Sequence, residues 1–581
     1  MDLINTTILL FLDYPDIINA CKGIPDFFRL CNKPYFWALK ADRDFDISVT
    51  ELLLVPGSNN KKRYEFIYNI KDPNKGLVKV AKLGILSLVK YYSKQGADVH
   101  RRCTAVPSAQ YLHVDDEWVL RLASSNGHLN VVKYLVEQGA HPHNGALTSA
   151  ISNGHLDIVK YLIGQGDNLF KKELYRAAKY GHLDVVKYLI EQGADLHDNN
   201  EYALRWAAMY GHLDVVKYLV EQGANLHTED ESALNWASTN GHLNVVQYLI
   251  EQGADLHAVD EFALRNAAGH GHLNVVKYLI NRGADLHARD EGTLRWAASN
   301  GHLEIVEYLV EQGANLHVED ELALKWAAKN GHLSVVKYLV EQGADLHVED
   351  GFALRNAAGN GHLDVVKYLV ELGAGVDQRS TPMPSAQYLH ARNEEALRWA
   401  ASNGHLDVVK YLIEQGADVD RRSTPVPPAQ YLHVRDEDTL RSAASYGRLN
   451  VVKYLVEQGA DLHAMNEYAL RSAADNGHLD VVKYLVEQGA DFHIKDESPL
   501  REASGYGRFD VVKYLVEQGA DFHVNDEEPL RSAANYGWLY IVKYLVEQGA
   551  DLHAKNDEAL RSATNNGHHD VVKYLVSQGI S

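Results

Sequence analysis

The sequence predicts an all-α solenoid of about 16 short helix–turn–helix repeats, preceded by a small helical N-terminal domain. Three observations predict it. A glycine after an Ala-Ala-like pair recurs at 84, 127, 154, 181, 211, 241, 271, 301, 331, 361, 404, 447, 477, 507, 537 and 567, and most intervals are 30 residues, a period that marks stacked repeats. Each interval carries two apolar patterns of helical spacing. A chain of 581 residues with 46 % hydrophobic content is also too long for one core, and an array resolves that excess.

The chain opens with helical clusters. Ile4, Ile8, Leu9 and Leu12 recur at helical spacing, Ile17, Ile18 and Cys21 follow Pro15, and Phe36 and Trp37 close a third cluster; Pro15, Pro25 and Pro34 punctuate them. The start lacks a basic segment and a small-residue cleavage site, so it reads as no signal peptide, and no run of about 18 apolar residues suggests a membrane span. Residues 46–75 read as a connector whose Lys61-Lys62-Arg63 triplet is a solvated face. The three cysteines, Cys21, Cys31 and Cys103, form no CxxC pair and read as buried thiols of a reducing, cytoplasmic compartment.

Residues 1–75 hold ten Lys/Arg and ten Asp/Glu, so the net charge of −21 falls entirely on residues 76–581. That charge disfavours a nucleic-acid partner and suits a protein-binding surface.

The repeat is clearest in residues 201–230. Leu204, Ala207 and Ala208 share one helix face, with side chains small enough for close packing. Gly211 ends this helix by taking a left-handed conformation without a Cβ penalty. A second helix carries Leu213, Val216, Leu219 and Val220, and Gly223 stops it. The Asp or Asn and Glu that precede the next helix are expected to cap its free N–H groups. Two such helices cannot bury both stripes alone, so stability belongs to the stack.

The order Leu-x-x-Ala-Ala-x-x-Gly-His-Leu-x-Val-Val-Lys-Tyr-Leu-Val-Glu-x-Gly-Ala-Asp resembles the ankyrin repeat over some 500 residues. The resemblance implies an ankyrin-repeat solenoid that binds proteins, with no cofactor and no catalytic site. From Gly211 to Leu234 there are 23 steps, against about 26 in the 33-residue ankyrin pattern, so short hairpin loops are expected. The usual Thr-Pro-Leu-His becomes x-Ala-Leu-Arg in most units.

Residues 9–45 resemble an F-box. By that resemblance Leu9, Leu12, Ile17, Ile18 and Trp37 would dock on a Skp-type adaptor of cullin-RING ubiquitin ligases. The residues alone equally describe a helical cap for the first repeat. With the truncated loop, the whole is similar to ankyrin proteins encoded in many copies by giant DNA viruses of amoebae, which implies a host or viral protein as ligand.

Three intervals of 43 residues hold related insertions near 101–113, 378–390 and 421–433, each with prolines and an Ala-Gln-Tyr-Leu-His ending; they read either as a tolerated insertion duplicated with its repeat or as a repeated, protruding contact element. Many of the 30 histidines form two ladders, one after the glycine (His182, His212, His242, His272, His302) and one after Asp-Leu or Asn-Leu (His197, His227, His257, His287, His317). Equivalent positions about 8–10 Å apart cannot share a metal ligated at about 2 Å, so hydrogen-bonding ladders between repeats are expected instead.

The positions free to differ lie on the first helix, where the third residue of Leu-Arg-x pairs with the residue before glycine. They read Trp206 with Tyr210 and neighbouring Met209, Trp236 with Asn240, Asn266 with His270, Trp296 with Asn300, Trp326 with Asn330, and Trp399 with Asn403, then become Ser442 with Tyr446 and Ser532 with Tyr536. Five of eight Trp residues thus occupy one register, a composition that suits either packing or a protein-binding face. The sequence supports a scaffold that recruits a ligase through its N-terminal domain, or a passive binder or decoy whose N-terminal domain is only a cap.

Overall fold

A computed structural model describes residues 6, 9–10, 12–98, 118–141, 144–166, 169–373, 386–417 and 439–579. The insertions at 101–113 and 421–433 lie outside the described residues, as does 378–385 of the third. The chain divides into two compact units, Met1–Ala267 with Asn274–Ala284, and Ala268–Leu273 with Asp285–Ser581. The described residues are helical, without strands, and follow the predicted all-α repeat architecture.

The first unit begins with helices Tyr14–Gly23, Pro25–Cys31, Pro34–Phe45, Val49–Leu52 and Asn60–Tyr68. Pro25 and Pro34 open their helices, where a missing N–H costs no hydrogen bond. Trp37 is buried and its indole N–H donates to the Cys31 carbonyl at 2.7 Å. The Tyr64 hydroxyl donates to Asp44 at 2.6 Å. Cys21 and Cys31 are buried as expected but are joined as a disulfide, with Cα atoms 6.2 Å apart, so the thiol reading is corrected for this pair. The helix ending at Cys31 turns back on the one containing Cys21 and brings the two together.

In each unit, first helices pack on first helices of the adjacent repeat and on the second helix of their own. In the repeat described above these are Asp198–Met209 and Leu213–Glu221. Leu204, Ala207, Ala208, Val215, Val216 and Leu219 are buried, each large apolar side chain contributing roughly 1.5–3 kcal/mol. Alanines at 207 and 208 let adjacent backbones approach. Gly211 turns the chain at φ +77°.

That glycine has a second duty. A Cβ on Gly211 would lie 2.5 Å from Nδ1 of His242 in the next repeat, whose Nε2 is 2.9 Å from the Met209 carbonyl. The same bond links His212 to Lys179, His332 to Ser299 and His478 to Ser445. Where histidine is replaced, Arg448, Arg508 and Trp538 donate a side-chain N–H to the equivalent carbonyl. The register therefore selects an N–H donor rather than a metal ligand, and the expected inter-repeat ladder is present.

The loop before the first helix departs from expectation. Asn199, Asn200 and Glu201 all take left-handed angles (φ 49°, 57° and 58°), and eight further triplets do the same, from 229–231 to 555–557. Left-handed backbone costs roughly 1–2 kcal/mol per ordinary L-residue, less for Asn and Asp. The middle position accordingly is Asp or Asn throughout: 200, 230, 260, 290, 320, 466, 496, 526 and 556.

The Glu of each triplet is not an N-cap, which corrects the capping expectation. In eight triplets it turns inward, is buried, and accepts from the preceding histidine, as in His197 Nδ1 to Glu201 Oε1 at 2.5 Å; in the ninth Asp557, half-buried, takes its place. This second ladder is thus closed within a repeat. The same oxygen reaches onward too: Glu291 accepts the N–H of Asn315 at 3.0 Å and Glu321 that of Asp345 at 3.1 Å. Arginine completes the arrangement. Arg265 donates to the Asp260 and Val259 carbonyls, and Arg531 to those of Asp526 and Asn525. These carbonyls are presented by the left-handed turn, which explains Arg where the ankyrin pattern has His.

Candidate protein-binding face

The left-handed turn fixes the start of each first helix, and the glycine with its histidine partner fixes the end. Between them only one stripe stays open. Trp236 (43 %), Trp296 (42 %), Trp326 (38 %) and Trp399 (44 %) are exposed on helices whose Leu and Ala positions are fully buried. Each indole is therefore not absorbed by the stack, although one edge rests on it: a Cβ on Gly269 would lie 2.8 Å from Trp296 Cε3, and one on Gly359 would lie 2.9 Å from the same atom of Trp399.

Trp206 differs. It is half-buried, edge-on to Tyr202 at 5.5 Å and stacked on Tyr210 at 5.6 Å, with Lys179 Nζ 4.5 Å from its ring centre. Tyr210 is exposed, Met209 is half-buried, and the Met209 carbonyl is taken by His242. His270 is exposed while Asn266, its pair, is buried.

The asparagines beside the indoles have a local task that sequence reasoning missed. The Asn240 amide donates to the Trp236 carbonyl at 2.8 Å and that of Asn300 to the Trp296 carbonyl at 2.9 Å. Asn403 reaches both Gly359 and Trp399 carbonyls, and Asn330 the Ser299 carbonyl. Each is a second donor to a carbonyl near the helix end: the Trp236 and Trp296 carbonyls also accept the Asn240 and Asn300 backbone N–H groups, and the Gly359 and Ser299 carbonyls also meet His405 and His332.

In the second unit's later repeats the register holds Ser442, Ser472 and Ser532, beside exposed Tyr446, Tyr506 and Tyr536 in the stripe. The second helices carry a further ladder not read from the sequence. Lys187 lies 5.4 Å from the ring centre of Tyr218, Lys217 5.6 Å from Tyr248, and Lys337 5.4 Å from Tyr368. Burial pushes the Tyr218 and Tyr248 phenols above their ordinary pKa. The signal was the Lys-Tyr dipeptide itself, repeated in most units and replaced by Gln247-Tyr248 and Glu307-Tyr308 in two.

The five F-box-like positions are placed mostly inside. Leu9, Ile17 and Trp37 are buried, and Leu12 and Ile18 are half-buried. Among the described residues there, Ile24, Tyr35, Leu39, Val49, Leu53 and Leu54 are exposed.

Among the described residues no group of three or more His, Cys, Asp or Glu is placed to hold a metal, and no helix is long and apolar enough to cross a membrane. No curated protein matches the chain. A family model described as "Ankyrin repeats (3 copies)" matches residues 77–173, 174–260, 264–350, 324–423, 430–496 and 500–581. Ankyrin repeats act as protein-interaction scaffolds, and with most of its length so matched, this chain belongs to the ankyrin-repeat family.

Proposed function

We propose that the scaffold holds its protein ligand on the first helices of its units, with the indoles of Trp296 and Trp399 as anchors in the second unit and that of Trp236 as an anchor in the first. One observation carries this reading: tryptophans at a single repeat position stay about two-fifths exposed beside fully buried Leu and Ala. Exposed indoles are frequent anchors of protein interfaces. Hydrogen–deuterium exchange of the full chain with a captured protein tests it. Protection concentrated on the first helices supports the reading, and protection confined to the Lys-Tyr face of the second helices opposes it.

For the N-terminal helices the cap reading has the more specific support. The Ser87 hydroxyl donates to Glu51 at 2.9 Å, the Tyr92 hydroxyl donates to the Ile67 carbonyl at 3.2 Å, and Phe45 meets Tyr91 edge-on at 5.3 Å. Those helices therefore cover the repeat formed by Pro73–Leu83 and Leu86–Lys94. Recruitment of a Skp-type adaptor is the finer proposal, and it draws on the exposed Leu39, Val49, Leu53 and Leu54 rather than on the buried Leu9, Ile17 and Trp37. Co-purification of the adaptor with the full chain, lost on changing Leu53 and Leu54 to Ser, would support it; no co-purification leaves a binder or decoy with a capped end.

A further inference from the structure

Two indoles of the row already hold a cation. Lys179 Nζ sits 4.5 Å from the ring centre of Trp206, and Lys329 Nζ 4.5 Å from that of Trp326. Among the described residues the other three have none, because their flanking positions are not basic: Met209 and Thr239 beside Trp236, Gly269 and Ser299 beside Trp296, Gly359 and Ser402 beside Trp399.

The basic residues that precede the indoles in the second unit are all neutralised. Arg295 pairs with Glu319 at 3.0 Å, Lys325 with Glu349 at 3.0 Å, and Arg398 with Glu395 at 3.7 Å. Glu319 belongs to the turn that opens the next repeat's first helix, so that turn meets the residue before Trp296. In these turns the carboxylates of Asp290 and Asp320 are exposed and, among the described residues, make no ion pair. The stripe thus presents open aromatic faces, unpaired acids and paired bases, on an array that carries the chain's whole charge of −21.

We propose that the ligand engages this stripe through a cationic segment whose Lys or Arg side chains cover Trp296 and Trp399 as Lys329 covers Trp326, while Asp290 and Asp320 attract it. Trp236 and Asp230 repeat the arrangement within the first unit. The proposal rests on the first-helix stripe being the binding face. Cations are drawn to the face of an indole, and carboxylates beside it strengthen the attraction at low salt. Trp296 and Trp399 stand three repeats apart, on the order of 25–30 Å, which an extended segment of about eight or nine residues spans.

The test uses the full chain and a fluorescein-labelled 14-residue peptide alternating Arg or Lys with Ser, against the same peptide with Glu in place of the bases. The basic peptide is expected to bind, more weakly at 300 mM than at 50 mM NaCl, and the acidic one not. Trp296→Ser with Trp399→Ser should weaken binding at least 5-fold. Ser299→Lys with Ser402→Lys, which supplies each open indole with an internal amine at the position of Lys329, should weaken it comparably with the fold intact by circular dichroism. Asp290→Asn with Asp320→Asn should cost about 3-fold and flatten the salt dependence. Binding unchanged in both the Trp→Ser and Ser→Lys variants would show diffuse charge attraction and overturn the proposal. If a captured protein still protects the first helices yet ignores the Ser→Lys change, the binding face stands and the cationic ligand falls; absence of that protection removes the face itself.

Discussion

His287 and Glu291 stand four residues apart across a left-handed turn, with Nδ1 of the imidazole 2.5 Å from Oε1 of the carboxylate. The same oxygen accepts the backbone N–H of Asn315 in the next repeat. One buried side chain therefore holds a strained loop and fastens it to its neighbour. Removing it by Glu291→Ala should destabilise the second unit by about 2–3 kcal/mol, because two polar groups lose a charged partner. Glu291→Gln keeps an acceptor and should cost less. Urea unfolding of both variants checks the order, and equal midpoints for wild type and Glu291→Ala would contradict this role.

The pairing also sets a pH dependence. The hydrogen bond it donates to Glu201 holds the His197 imidazole above its usual value of 6.5, and Glu467, aided by Asp461 and Asp491, does the same for His463. A raised folded value means the protonated form is favoured in the fold. The stability it adds is complete below about pH 6.5 and is lost as pH rises through the raised value. The thermal midpoint should fall between pH 6 and pH 8, less so in His197→Asn with His463→Asn. A flat profile over that window would remove the effect.

Gly211 and Gly223 both take positive φ, +77° and +99°, yet differ in surroundings. A Cβ at 211 meets the His242 ring, while one at 223 meets nothing within 4 Å. Gly223→Ala should cost about 1–2 kcal/mol for left-handed backbone alone. Gly211→Ala should cost about 1 kcal/mol more, since His242 must release the Met209 carbonyl. Chemical denaturation of the two variants measures the difference.

One repeat that keeps its histidine lacks the acid. Gly351 stands where Glu is expected, at φ +75°, and the buried Nδ1 of His347 has no partner among the described residues. Gly351→Glu should supply one, since Glu holds the same left-handed angle at 291 and 321, and urea unfolding should show the variant at least as stable as wild type although a positive-φ glycine has been lost.

The stack itself was legible in the sequence because period, paired glycines and Leu-Ala-Val stripes each have one physical solution. The left-handed turn was not. Asp and Glu ahead of a helix look like N-terminal caps, and the telling pattern was His287, Glu291 and Arg295 at four-residue steps, a spacing that joins the turn to the helix after it. For the candidate face, the register of Trp236, Trp296 and Trp399 could be read, but their exposure could not, since an indole at that position packs or protrudes according to how closely the adjacent first helix approaches. Asn240 was read as a binding residue from its type, whereas its amide group serves the Trp236 carbonyl.

The affinity of a captured protein ligand for the full chain carrying Trp236→Ser, Trp296→Ser and Trp399→Ser together, compared with wild type, tests the binding face most directly. Exposed side chains contribute little to the stack, so the fold should persist while affinity falls by about 10-fold or more, as loss of interface anchors predicts. An unchanged dissociation constant with an unchanged fold would contradict it.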